Sequence, residues 1–473
     1  MYDLIVVGTG FASSFFLDQY LKKVDSSHRI LVLERGRMDT HAWRLENRRD
    51  SSISPKELFI NKHEKKRWAV RPCFGGGSNS WTGCTPRMLP NDFRLKSLYG
   101  VGRDWPVSYD ELEEYYCLAE EAMEVAGPDK TPFPRSRPYP QPPHRMTDPD
   151  LLLQAAHPDK HISQPAARPR IKASNRIPCS ARGVCNICPT DSKFTLLNGL
   201  THVYQDPRVT LLLETNVTTV EHAGDTATGV SYIKNGVSGK AEADLVVLGA
   251  GALFNPFILL RSNINHPLTG KGLCEQVSIN VIVDLDDIDS LQGSTIISAN
   301  GYLHYDGTHR SERAACMTES NNMPSPAYMR AERGKWRQCM VFKFIFEDLP
   351  QENNFVKISD EDANKPETVY VGHSDYAQRG LDALPELVPR FLEPLPVEKY
   401  EIGKNINSTE WHVMGTTVMG NDPANSVIDR YQVHHRIRNL IVLGGGAFPT
   451  VSPANPTLTL AALSLWSADK LLA

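Results

Sequence analysis

The sequence predicts an α/β fold in which a parallel sheet, assembled from separated stretches of chain, is joined to a second, antiparallel sheet. Three observations predict it. The N-terminus, MYDLIVVGTGFAS, runs a short apolar strand into a glycine turn and a helix. The same strand–glycine–helix order returns in ADLVVLGAGALFNPFILLRSN and again in RNLIVLGGGAFPTVSPANPTLTLAALSLWSADKLL. Between those two, alternating strands such as INVIVDL and MVFKFIFE have the period of an antiparallel sheet.

The first unit is a dinucleotide-binding beginning of Rossmann type. Asp3 to Val7 form an apolar run suited to a strand covered on both faces. Gly8 and Gly10 make a turn with no Cβ to block a pyrophosphate, and the next helix points its N-terminal amides at that anion. Ser13 stands where the third glycine of the fingerprint usually sits, small enough for close helix–strand packing yet a departure from the pattern. RILVLERG is the second strand, ending in Glu34, about twenty residues on, where a ribose-binding acid belongs. An acid there favours a free 2′-hydroxyl, so FAD or NAD rather than NADP.

The charged stretch from Asp39 to Arg67 suits a surface excursion, and RPCFGGGSNSWTGCTPR after it is rich in glycines that permit close backbone approach to a ligand. DWPVSYDELEEYYCLAEEAMEVAG reads as a helix capped at Ser108 and closed by Gly127. Pro128 to Pro143 is a proline-rich extended connection, and a strand-rich stretch runs from about Val209 to Asp244. The expected organisation is a discontinuous dinucleotide-binding domain in three parts (1–105, 201–265 and 405–473). A cap and connection (106–200) and a substrate-binding domain (266–404) interrupt it.

At 473 residues, 41% hydrophobic and 22% charged, the chain has the composition of an ordinary globular protein with ample core. A net charge of −4 supplies no basic field for nucleic acid or acidic lipid. No apolar stretch reaches the roughly eighteen residues needed to span a bilayer. Opening directly on a strand leaves no room for a signal peptide, which predicts a cytoplasmic protein unless a partner subunit carries it out.

Nine cysteines in such a length are not a disulfide framework. Cys73, Cys84, Cys117, Cys274, Cys316 and Cys339 are scattered and read as small buried hydrophobes. Cys179, Cys185 and Cys188 are bunched, with Pro189 following. Three readings of that bunch stand open: the ligands of a 3Fe–4S cluster, a zinc site with a fourth ligand from elsewhere, and three reduced thiols in a structured loop.

Five segments resemble the glucose–methanol–choline (GMC) oxidoreductases, and together they cover nearly the whole chain. They are the fingerprint at Gly8, Gly10 and Glu34; FGGGSNSWTG; LVVLGAGALFNP; FEDLPQENNFVKIS; and the C-terminal pair HVMGTTVMGNDPANSVID and NLIVLGGGAFPTVSPANPTLTLAALSLWSADKL. The second segment, with the DWPVSYDELEEYY that follows, is most similar to the pyranose-oxidase-like branch. The resemblance implies an FAD enzyme that removes a proton and a hydride from an alcohol carbon, the hydride going to flavin N5. The matching base is His412, able to accept a proton near neutrality, and its partner is Asn455, an amide to hold the substrate oxygen. His434 and His435 match no catalytic position and read as structural.

The flavin contacts implied on the N-terminal side are Gly8, Gly10, Ser13 and Glu34, then Gly76, Gly77, Ser78 and Asn79 in the glycine-rich loop. Those implied later are Ala250, Gly251, Gly446, Ala447, Pro456 and Thr457, with a helix starting near Pro456 whose N-terminus could face the flavin N1–O2 edge. Pyranose oxidases carry a covalent flavin–histidine link in this loop; here Ser80 stands at about that place, which implies FAD bound non-covalently. The cysteine segment is similar to that of bacterial flavin-dependent glucose and fructose dehydrogenase subunits, which pass electrons through such a cluster to a cytochrome. The expected substrate is a sugar, glycoside or aminocyclitol-like polyol, with oxygen, a quinone or a redox partner protein as electron acceptor. Two alternatives stay open: a lyase of the hydroxynitrile-lyase kind, and the catalytic subunit of a multi-subunit dehydrogenase relaying electrons through an iron–sulfur cluster.

Overall fold

In the computed structural model, which describes residues 1–172 and 176–471, the parallel strands of a seven-stranded sheet come from three distant stretches of sequence. Across the sheet they run Val209–Leu212, Ile30–Leu33, Tyr2–Val7, then Val237–Leu248, with Leu440–Val442 on its far side. Numbered along the chain, that order is 3-2-1-4-5, one arm of the doubly wound arrangement. Ligands of such sheets bind outside the carboxyl ends of the strands where the order reverses, here beyond Val7. The strand Val237–Leu248 changes partner midway: residues 237–242 pair antiparallel with Thr226–Lys234, and residues 243–248 pair parallel with the N-terminal strand. Its first half is accordingly largely exposed, and its second half ends in the buried run Val246, Val247 and Leu248.

Helix Phe11–Leu21 packs on the C-terminal helix Thr457–Leu471, which packs in turn on helix Tyr109–Ala122. The last begins with the expected cap: Ser108 Oγ accepts from the Glu111 amide, and the Glu111 carboxylate accepts from the Ser108 amide. Tyr116 and Thr459 join the two helices through hydroxyls 2.8 Å apart.

The second sheet is antiparallel, in the order Val397–Ile402, Val277–Leu285, Cys339–Phe346, Cys316–Asn321, Ile297–His304 and His161–Ser163. Phe342, Phe344 and Phe346 point from one face into a core with Val281, Val283 and Phe391, covered by helices Asp375–Asp382 and Leu384–Leu392. The opposite face carries a polar row in register across four strands, Asn280, Lys343, Glu319 and Asn300. The edge strand His161–Ser163 comes from the stretch expected to be cap and connection.

The charged stretch 39–67 departs from a simple surface excursion. Its strand Ile60–Asn61 pairs with Pro366–Val369 in a small third sheet, and Phe59 is buried with Trp68 against Leu253, Leu273 and Val356. Two aromatic side chains supply enough apolar area to hold an otherwise polar segment on the protein. Among the described residues no helix is long and apolar enough to cross a membrane.

Candidate active site

A cavity of about 620 Å³ opens at the carboxyl ends of the parallel strands and continues to the polar row of the second sheet. Gly8 has φ +92°, and a Cβ there would lie 2.7 Å from the Gly249 carbonyl oxygen, so the first turn requires glycine. A Cβ at Gly10, Gly77 or Gly251 would meet no protein atom within 4 Å, although all three border the cavity. That open space lies before the amides of helix Phe11–Leu21, whose N-terminus has no side-chain cap. Glu34 is buried at the end of the second strand; its Oε2 accepts from Thr9 N (3.0 Å) and Oγ1 (2.8 Å), and its Oε1 accepts from Gly36 N (2.8 Å). Burial raises its pKa against those hydrogen bonds, and further acceptor capacity remains for a ribose hydroxyl. The donor set therefore fits a dinucleotide: open glycines, free helix amides and a held carboxylate.

Most sequence-predicted contacts border this cavity: Gly8, Gly10 and Glu34; Gly76 and Gly77; Ala250 and Gly251; Pro456 and Thr457. Five do not border it. Ser13 is wholly buried, and its Oγ fills the place where a Cβ at Gly249 would stand, so it packs helix to strand. Ser78 Oγ donates to Gly75 O and accepts from Leu196 N, while Asn79 Nδ2 donates to Phe74 O; both hold the glycine-rich loop from within. Gly446 accepts from Thr417 N, and Ala447 is core; Gly444 and Gly445 border the cavity in their stead. Ser80 borders it too.

At the other end stand His412 and Asn455. Trp411, immediately before the histidine, is held at φ +66°, an uncommon conformation for a bulky residue, with its amide donating to Thr409 Oγ1 and its ring beneath the Arg71 guanidinium. His412 N donates to Glu275 Oε2 (3.2 Å), and Glu275 is ion-paired with buried Lys66. Gln276, 1% exposed, faces His412 Nδ1 through its Oε1 at 3.1 Å. The Gln276 Nε2 donates to Ser452 O and Ala454 O, 3.0 Å each, so its orientation is fixed and only its oxygen faces the ring. Nδ1 must then carry the proton, which leaves the lone pair on Nε2. Burial, reinforced by the Lys343 charge and opposed by Glu410, lowers the His412 pKa to about 4, so the imidazole is neutral at neutral pH.

Asn455 Nδ2 donates to Glu319 Oε1 at 3.2 Å, and Asn455 Oδ1 is buried without a partner among the described residues. Glu319 is 3% exposed, and burial raises its pKa against the pull of Lys343. Lys343 donates to Glu410 Oε2 at 3.1 Å. Glu275, Gln276, Glu319, Lys343 and Glu410 are the residues that sequence reasoning missed. Lys343, alone among the apolar residues of MVFKFIF, was the one available signal: a charge within a strand buried on both faces needs a purpose.

The three bunched cysteines each make their own contacts. Cys179 Sγ donates to Ser294 O, Cys185 Sγ accepts from Ile296 N, and Cys188 lies beside Thr190. Among the described residues no three His, Cys, Asp or Glu side chains are grouped to hold a metal, so the expectation of a 3Fe–4S centre on Cys179, Cys185 and Cys188 gains no support from this arrangement. Each sulfur is engaged separately by its own stretch of backbone. Wholly buried Lys193 ties this loop to the glycine-rich one, donating to Trp81 O (2.7 Å), Asn186 O (2.7 Å) and Asn79 O (3.3 Å).

Comparisons with known proteins agree with this geometry. Residues 350–464 match the family model described as GMC oxidoreductase. The chain is 27% identical over 449 residues to the fructose dehydrogenase large subunit of Gluconobacter japonicus, covering 84% of this chain and 80% of that one. It is 25% identical to the 2-methyl-1,2-propanediol dehydrogenase of Mycolicibacterium austroafricanum, covering 99% and 94%. The crystal structure of pyridoxine 4-oxidase from Mesorbium loti superposes with a TM-score of 0.70 at 16% identity, covering 99% of both chains. Residues 350–464 thus carry the GMC oxidoreductase segment, the chain is similar over most of its length to dehydrogenases and oxidases, and it is an FAD-dependent alcohol oxidoreductase.

Proposed function

We propose that the chain oxidises a CH–OH group of a sugar, glycoside or aminocyclitol-like polyol, with His412 as the base and Asn455 as the group that orients the alcohol. The observation that carries this reading is the hold of Gln276 on His412. A neutral imidazole with its proton pinned on Nδ1 offers Nε2 to accept the hydroxyl proton. FAD, when bound, supplies the hydride acceptor. The second N–H of Asn455 is free to hold the substrate oxygen, because Glu319 takes only one. Lys66 neutralises Glu275 beneath the base, which keeps a buried negative charge from drawing a proton onto the imidazole.

FAD is held without a covalent link, since Ser80 has neither the imidazole nor the thiol that would attack the flavin. Its ribose belongs on Glu34 and its pyrophosphate before Gly10. Support for a polyhydroxylated substrate comes from the relatives, among them dehydrogenases named for fructose and for a 1,2-diol, and from the polar row that borders the catalytic end. Oxygen, a quinone or a redox protein would then take up the electrons, and no step is routed through the cysteine loop.

The test is anaerobic stopped-flow reduction of the bound flavin by a panel of aldoses, ketoses, cyclitols and amino sugars, with His412→Ala alongside. The variant should retain FAD and reduce it on the order of 10²-fold or more slowly, as loss of a general base costs about 10²–10⁴. Wild-type rates in His412→Ala would overturn the base assignment. A flavin reduced by no polyol would overturn the reading as a whole.

A further inference from the structure

Glu319 is a carboxylate whose partners do not account for it. It projects from the strand Cys316–Asn321 onto the face that borders the cavity and is almost wholly buried. A carboxylate only accepts hydrogen bonds and has room for about four. Among the described residues Glu319 receives one side-chain bond, from Asn455 Nδ2 to Oε1. Its cross-strand neighbours do not complete it: Lys343 on one side donates to Glu410, and Asn300 on the other has neither amide atom paired. Its remaining acceptor capacity opens onto the cavity, and a ligand that expels solvent there without offering a donor would leave the carboxylate underpaired at a cost well above one ordinary hydrogen bond. A molecule that fills the cavity well therefore brings a donor to Glu319.

Its position says which part of that molecule. Asn455 is the amide that orients the reacting oxygen, and Glu319 is its direct hydrogen-bonding neighbour. Substituents on adjacent carbons are spaced about as far apart as two hydrogen-bonded heavy atoms. We propose that Glu319 is a specificity-determining residue that accepts a hydrogen bond from a hydroxyl or ammonium on the carbon next to the one oxidised. The site thereby selects vicinal diols and vicinal amino alcohols over simple alcohols. This rests on the alcohol-oxidising reading above and narrows it. Lys343 is one cation between Glu410 and Glu319, so the three groups together carry one negative charge when ionised. An ammonium would neutralise that charge, whereas a hydroxyl would only share it.

The experiment uses the FAD-loaded enzyme and anaerobic flavin reduction. The fastest polyol of the panel is taken as parent, and nuclear magnetic resonance of its product locates the oxidised carbon. Three analogues then differ only at the neighbouring carbon: hydroxyl, amine and hydrogen. Wild type should discriminate against the deoxy analogue by about 10²-fold or more in kcat/KM, because a site built to bond a hydroxyl leaves a buried group unpaired when it is missing. In Glu319→Leu the ratio of parent to deoxy analogue should collapse to within a few-fold. In Glu319→Gln, which keeps the volume and one acceptor, the amine should lose at least about tenfold relative to the hydroxyl, as an ion pair becomes a neutral contact.

Wild type oxidising parent and deoxy analogue alike overturns this proposal and leaves the alcohol-oxidising reading standing. An equal loss on all three analogues in both variants overturns it too, since Glu319 would then act only by orienting Asn455. Flavin absorbance confirms that each variant is folded and loaded. Should Glu319→Leu not fold, the ratios in Glu319→Gln decide, and their equality with wild type overturns the proposal.

Discussion

Gln276 and His412 form a one-way contact: the glutamine nitrogen is committed to two main-chain carbonyls, so only its oxygen meets the imidazole, 3.1 Å away. Replacing Gln276 by leucine frees the ring to carry its proton on either nitrogen. Flavin reduction should slow by about 10- to 100-fold with little change in KM, a loss within the range of general-base effects. Gln276→Glu keeps an acceptor at Nδ1 and adds a charge that favours imidazolium. It should restore most of the rate at neutral pH while shifting the acid limb of the pH profile upward. A Gln276→Leu variant as fast as wild type would end the assignment.

The low pKa of His412 has its own signature. As the proposed base, His412 must be neutral to act, so activity should persist above the folded-state value and be lost as pH falls through about 4. An ordinary histidine would lose it near 6.5. Lys343→Met removes a cation that opposes imidazolium and leaves Glu410 unpaired nearby, so the acid limb of kcat/KM should move toward neutrality. An unshifted limb in that variant would mean that another group sets the profile.

Acid precipitation of the holoenzyme should release all of its yellow colour into the supernatant, because Ser80 cannot form the covalent link. Flavin retained in the pellet would contradict non-covalent binding.

Arg310 joins the two sheets' territories. It is wholly buried and donates to Asp92, beyond the glycine-rich loop, at 2.8 Å and to Glu347, at the end of a substrate-sheet strand, at 2.7 Å. Arg310→Met would strand two buried carboxylates and should lower stability by about 3–5 kcal/mol. Thermal unfolding of the holoenzyme checks this, and a Tm within a degree of wild type would refute it.

The dinucleotide half was legible because its signals are local. Strand, glycines, helix and acid follow one another within thirty-odd residues, and each repeat of the pattern announces another strand of the same sheet. There, too, Ser13 is read as a residue for close helix–strand packing, and its hydroxyl does stand against Gly249. At the other end of the cavity sequence reasoning reached only His412 and Asn455, whose flanking motifs are distinctive. Glu319 and Lys343 come together by strand register, and Gln276 meets His412 across 136 residues. No local pattern encodes such a meeting. The cysteine bunch is plain in the sequence, yet among the described residues it forms no metal-holding group.

The strand Leu440–Val442 completes the parallel sheet from the far end of the chain, and this bears on how the protein comes to be made. A ribosome delivers the strand Tyr2–Val7 and its glycine turn first, yet the crevice they belong to gains its last wall only when Leu440–Val442 emerges, more than four hundred residues later. Long-range parallel pairing of this kind is slow to form and leaves apolar edges waiting. Val246 and Val247 must stay shielded during that interval, on a strand edge that would otherwise invite association with a second nascent chain. A coenzyme able to bind only the finished crevice would then act as a late ratchet, drawing the nascent protein forward by mass action. Yields from expression hosts should accordingly follow the supply of riboflavin more steeply than the supply of amino acids.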